Sequence, residues 1–138
     1  MRLPVVAFDK WTAWADRDQL TCNTSPGVYL LALDVGPDEK VSPIDERIIY
    51  IGQTCDSLRQ RWRQFRRAAS GSQGQHSGGI SFRQRCSGRP LEDLCVAPWA
   101  APPMAPDVLR EAYIKLVERR LILDWVIEHG RLPLCNTG

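Results

Sequence analysis

Four absences narrow this chain before any motif is read. No run of about 18 uncharged apolar residues occurs, so no stretch reads as a transmembrane helix. The N-terminus lacks the charged, apolar and small-residue succession of a secretory signal. A soluble, cytoplasmic protein with no membrane partner is the expectation. None of the five cysteines (Cys22, Cys55, Cys86, Cys95, Cys135) belongs to a Cys-x-x-Cys pair, and they are odd in number and widely spaced. That argues against both a disulfide framework and a structural zinc site, and leaves free thiols, some of them buried. The fourth absence is lysine: residues 47 to 89 contain none, yet they hold nine arginines against a single acid, Asp56.

That segment carries +8 in a chain of net charge +2, which leaves −6 for the rest. Arginine is the cation whose planar fork fits a phosphate bidentately. A localised arginine field in an otherwise mildly acidic protein is the footprint of a polyanion partner, most simply DNA. With 138 residues, the chain is long enough for one compact domain with its own core and too short for two.

What is present is organised around two short tyrosine strands and a basic helix. Gly27, Val28 and Tyr29 open an apolar run at 27 to 35, and Tyr50, Ile51 and Gly52 lie in another at 47 to 54. Joined by a polar, proline-containing connection at 36 to 46, they read as an antiparallel hairpin with a long loop. A helix then follows over 57 to 70, with Asp56 or Ser57 as its N-cap. Leu58, Trp62, Phe65 and Ala69 form its apolar stripe, and Arg59, Arg63, Arg66 and Arg67 lie on the solvent side as candidate phosphate contacts. Arg61 falls at the margin of the buried face, where an unpaired guanidinium is costly.

Residues 8 to 18 read as a short helix, with Phe8, Trp11, Trp14 and Ala15 on one face as a lid over the sheet. The Gly/Ser/Gln-rich stretch at 70 to 79 reads as a flexible surface loop carrying His76. A short helix at 80 to 88 and a third strand at 91 to 100 are expected next. The last element is the strongest helix, starting at Pro106 and Asp107 and stopping at Gly130. Its buried stripe includes Ile114, Leu121, Ile122 and Trp125, and Glu118 projects from that same face. A carboxylate so placed needs a cation: either an ion pair with an arginine such as Arg61, or a metal. The fold class is therefore α+β, a small three-stranded and mainly antiparallel sheet flanked by helices. Residues 1–24 form a helical extension packed on a domain spanning 25–138.

Taken together, Gly27-Val28-Tyr29, Tyr50-Ile51-Gly52, Arg61, the helical Glu118 and Asn136 resemble the GIY-YIG nuclease superfamily over roughly residues 25 to 136. The resemblance implies a GIY-YIG-like sandwich that hydrolyses phosphodiester bonds in DNA with one divalent metal, Mg²⁺ or Mn²⁺, held by Glu118. It further implies Tyr29 as general base or water-orienting group and Tyr50 as a hydrogen-bond donor to the phosphate or the attacking water. Arg61 offsets phosphoryl charge, and Asn136 fixes the C-terminal segment or contacts phosphate. Gly27 and Gly52 allow close approach of strands and substrate. Three departures stand out: the hairpin loop is long, Phe65 stands where relatives often carry a histidine or tyrosine, and His76 is the residue available to replace it. An alternative register makes Arg59 the catalytic arginine, against which its solvent-side position argues. The rival readings are a catalytically weak nucleic-acid-binding module and a nuclease subunit directed by a protein partner or by homodimerisation.

Overall fold

The computed structural model describes residues 2–71 and 74–137. Its centre is one antiparallel sheet of four strands, β1 (Thr12–Ala13), β2 (Gly27–Leu33), β3 (Ile48–Thr54) and β4 (Leu94–Ala100), in the order β1-β4-β2-β3. Three α-helices pack on it: α1 (Leu58–Ala69), α2 (Ser77–Arg85) and α3 (Asp107–His129). The class is α+β, as expected, and the strand count corrects the sequence reading. Residues 12–13, placed in a helix by their spacing, form the fourth strand and are followed by a 3₁₀ turn over Trp14–Gln19. No helix among the described residues is long and apolar enough to cross a membrane.

The cause of that correction is visible in the two tryptophans. Trp11 is buried on the face covered by α3, whereas Trp14 is buried on the face covered by α1 and α2. A three-residue spacing on a helix would have put both on one side; an edge strand leading into a turn sends them to opposite sides. The N-terminal segment is further tied to the hairpin loop, which makes that loop structural. Trp11 N–H donates to Glu39 O, Asp38 N–H to Trp11 O and Val41 N–H to Asp9 O, all within 2.9 Å. Arg47 closes the loop by bonding Glu39 and Asp45 at 2.6 and 2.7 Å.

Strands β2 and β3 pair with Tyr29 opposite Gly52 and Leu31 opposite Tyr50. The register then shifts, so that Ala32 faces Ile48. The extra residue is Ile49, and it joins Tyr50 in the same core cluster, as a bulge allows. Both faces of the sheet are covered, so β2 is buried from end to end. Towards α3 the core is largely aliphatic, built on Val28, Leu30, Ile51, Ile114 and Val117 with Trp125; towards α1 and α2 it is aromatic, with Tyr29, Tyr50, Trp62, Phe65 and Phe82. All five cysteines are free thiols.

Candidate functional site

Helix α1 starts where Ser57 Oγ accepts the Gln60 N–H at 3.1 Å, an N-cap. From that start Leu58, Trp62, Phe65 and Ala68 are buried, and the fourth position is Ala68 where the spacing predicts Ala69. The same phase leaves Arg61 half-buried at the rim and turns Arg59, Arg63, Arg66 and Arg67 to solvent. Arg61, and not Arg59, thus lies beside the tyrosines.

Residues 74–79 depart from the expected flexible loop. His76 is the N-cap of α2: its Nδ1 accepts the Gly79 N–H at 3.2 Å, and the side chain is only 2% exposed. Two glycines at a helix start weaken its sequence signature, yet packing requires them. A Cβ at Gly78 would meet the Tyr50 ring at 2.5 Å, and one at Gly79 would meet the Phe65 carbonyl oxygen at 2.6 Å. Gly52 has the same logic, since a Cβ there would strike Tyr50 at 2.5 Å and the Tyr29 hydroxyl at 2.7 Å. Gly27 is held by a different neighbour, the Trp99 carbonyl of β4.

With the backbone this close, five positions distant in sequence converge. The Tyr29 hydroxyl lies 2.9 Å from His76 Nε2. Because Nδ1 is occupied as an acceptor, a neutral His76 carries its proton on Nε2 and donates it to the Tyr29 oxygen. Burial, with the Arg61 charge nearby, pushes the His76 pKa down to about 3, which keeps the ring neutral. Tyr50 packs against the His76 ring at 5.5 Å and against Tyr29 at 6.0 Å. Phe65 meets His76 edge to face at 5.3 Å, so this residue supports the histidine that stands in its neighbourhood.

Electrostatics bind the cluster to α3. Burial raises the Tyr29 phenol well above its ordinary range, Tyr50 adds to this, and Arg61 opposes it. Tyr50 is raised by burial and held back by Arg61 and the Ser77 hydroxyl. Arg61 lies against both phenols, yet its buried Nε has no partner, and its Nη1 is the group with good geometry, donating to Gln64 Oε1 at 2.9 Å. Glu118 is half-buried and its field reaches both tyrosines. Burial raises its pKa, with the Arg119 and Arg61 charges opposing. No ion pair with Arg61 forms among the described residues, so the buried-pair alternative of the sequence reading is not what the fold builds.

Two clefts flank Arg61. One, of about 370 Å³, is lined by Gln53, Thr54, Asp56, Gln60, Gln64 and Lys115 with Arg61. The other, of about 290 Å³, is lined by Arg61, Gln64, Arg67, Gln75 and His76. Lys115 escaped the sequence reading, although it stands three residues before Glu118 and hence on its face of the helix. Asn136 lies apart from the cluster. Its Oδ1 accepts the Ile51 N–H at 2.9 Å and its Nδ2 donates to Ile51 O at 3.0 Å, which fixes the C-terminal segment along the outer edge of β3. Arg47 and Arg89 are also set aside from the arginine field, since Arg89 pairs with Asp34 and Asp93. No group of three or more metal-ligating side chains exists among the described residues. No family model, curated protein or solved structure matches the chain, so the site is read from its own geometry.

Proposed function

We propose that the protein is a GIY-YIG-type endonuclease that hydrolyses DNA phosphodiester bonds with one divalent metal. The observation that carries this reading is the convergence of Tyr29, Tyr50, Arg61 and His76, with the half-buried Glu118 of α3 close enough to act on both phenols. A carboxylate that has lost water and gained no ion pair is prepared for a cation. A single carboxylate fits Mg²⁺, which keeps most of its waters and takes one or two protein carboxylates. Such a cation polarises a phosphoryl oxygen and lowers the pKa of water. Glu118 would hold it.

The chain's own groups then divide the remaining work. Arg61, half-buried and lining both clefts, offers its guanidinium to a phosphoryl oxygen and offsets the charge that builds there. Tyr50, buried beside His76 and Tyr29, would hydrogen-bond the same phosphate through its hydroxyl. Tyr29 would take the proton of the attacking water only as phenolate, after its own proton has passed to bulk solvent; burial and Tyr50 oppose that ionisation, Arg61 offsets them in part, and the His76 N–H holds the oxygen as an acceptor. His76 moves no proton in this scheme, because its one lone pair is engaged by the Gly79 N–H. It positions Tyr29 and fixes which way that hydroxyl faces.

One observation favours a second reading, a nucleic-acid-binding module that cuts poorly. Tyr29 is fully buried and its pKa is raised, so the free protein contains no ready base. Cleavage of labelled single-stranded and duplex DNA, with Mg²⁺ or Mn²⁺ against EDTA, separates the two. A nuclease cuts only with metal, and Glu118→Ala lowers the rate by roughly 10²–10³-fold, the range for removing one preorganised charge-stabilising group, while DNA binding is kept. Cutting by Glu118→Ala at the parent rate would refute the metal assignment. Binding without cutting in the folded parent would establish the module.

A further inference from the structure

We propose that a recess on the side of α1 away from His76 is a second phosphate site, which grips the nucleic-acid strand at a distance from the reacting phosphate. This rests on the nucleic-acid reading above and adds a subsite to it. The recess, of about 330 Å³, is lined by Arg17, Asp18, Arg59, Arg63, Arg66 and Arg67. Five guanidiniums thus face one carboxylate. Arg59 and Arg63, Arg63 and Arg66, and Arg63 and Arg67 are three or four residues apart, where like charges on a helix repel. The hydrophobic core lies on the opposite side of α1 and gains nothing from this array, so an anion is what would relieve it.

Arg17 is the member that the sequence reading did not include, and it is held from two sides. Its Nη1 donates to Trp14 O at 2.9 Å, and its guanidinium lies 4.2 Å above the Trp14 ring. Trp14 in turn packs on Phe65 at 5.6 Å. Held this way, Arg17 loses little freedom on meeting a ligand, which is where a long cationic side chain usually forfeits affinity. Its own pKa is lowered by burial, with Asp18 opposing and the Arg66 charge adding to the decrease.

Arg67 lines both this recess and the cleft of Arg61 and His76. The two sites are therefore joined over the back of one helix, whose diameter with side chains is about 10–12 Å. At about 3.4 Å per nucleotide of a stacked strand, that path takes three or four nucleotides. A polynucleotide can occupy both sites, whereas a mononucleotide or a free oxyanion can occupy only one.

The test is binding of labelled single strands by the full chain in EDTA, so that nothing is cut, over a series of salt concentrations. Arg63→Gln is compared with Arg17→Gln/Arg63→Gln; the single change is on an exposed face and leaves the Arg17 contact with Trp14 in place. On a dodecanucleotide the double variant binds about tenfold more weakly, and its log–log salt slope is shallower by about 1.4, or about 0.7 for each lost phosphate contact, with Arg63→Gln alone giving half that change. A dinucleotide, too short to cross the helix, competes equally against parent and variants. An unchanged slope, or equal losses at both lengths, would overturn the proposal. So would inorganic phosphate that binds the parent as tightly as the dodecanucleotide does at matched ionic strength, since the recess would then be a free-oxyanion site. A parent that shows this length dependence but never cuts would sink the nuclease reading and leave the subsite standing. Glu118-dependent cutting with variants that bind as the parent does would sink the subsite alone.

Discussion

The two faces of the sheet share one backbone and differ in almost everything they carry. Towards α3 lie aliphatic side chains with Trp11, Trp99 and Trp125, and the contacts there are apolar apart from bonds at the margin such as Trp125 Nε1 to Asp45 O at 2.9 Å. Towards α1 and α2 lie two phenols and a histidine, with a guanidinium at the rim. The first face can tolerate changes of shape but not of volume, because its stability comes from area removed from water. The second holds polar atoms whose burial is expensive unless each finds a partner. A protein that needed only to fold would have used the first solution twice.

The comparison is broken most sharply by removing mass from one face and a single oxygen from the other. Ile114→Ala on α3 empties volume from a fully buried site and should cost about 2–5 kcal/mol, read as a lower urea midpoint. Molecules that remain folded should bind and cut DNA as the parent does. Tyr29→Phe leaves the His76 N–H buried without its acceptor and should cost only about 1–3 kcal/mol. Cutting should nevertheless fall by roughly 10²–10⁴-fold, the range for loss of a positioned proton acceptor. Equal activity losses per folded molecule in the two variants would mean that the aromatic face is core and nothing more.

A pH series sharpens the same comparison. His76 in the folded protein has its pKa at about 3, below its ordinary value of 6.5, because burial and Arg61 disfavour the imidazolium. Unfolding therefore takes up a proton between those two values, so this contribution is complete above pH 6.5 and is lost progressively as the pH falls towards 3. The full effect is a few kcal/mol at most, since a tenfold change in proton affinity is worth about 1.4 kcal/mol. His76→Asn keeps a good N-cap and removes the titration. Chemical denaturation of the parent should show stability declining from pH 6.5 to 4, and the variant should show a flatter profile. Identical slopes would mean that His76 is solvated in the folded protein.

The sequence was legible where one periodicity served one face. Strands β2 and β3, helix α3 with Ile114 and Trp125, and the solvent placement of Arg63 all follow from spacing alone. It misled where a segment crosses between faces or where packing overrides local preference. Trp11 and Trp14 share a helical spacing but enter different cores, because β1 is too short to display a strand pattern. The start of α2 was hidden by Gly78 and Gly79, which are poor helix formers kept for the closeness of Tyr50 and Phe65. Of the candidate site, Tyr29, Tyr50, Arg61 and Glu118 could be named from the sequence, as could His76. That His76 is a buried cap bonded to Tyr29 depends on a contact spanning 47 positions, which no local signal carries.

The smallest effect concerns the edge of the sheet, where neither face decides. Strand β3 ends the sheet, and an open strand edge offers unpaired backbone groups to any other chain. Here the Ile49 bulge frees a carbonyl that takes the Cys135 N–H at 2.8 Å, and the Asn136 amide then pairs with both backbone groups of Ile51. One side chain thus mimics one residue of a neighbouring strand. Asn136→Ala removes two hydrogen bonds at a half-buried position from which water can partly replace them, and should cost about 1–2 kcal/mol. Hydrogen exchange should quicken at the Ile51 amide in the variant and stay slow at the Leu30 amide in the centre of the sheet. Cutting should change little, because Ile51 carries no side chain on the aromatic face while Tyr50 and Gly52 on either side of it do the positioning. A loss of cutting as large as that of Tyr29→Phe would instead place Asn136 in contact with the phosphate.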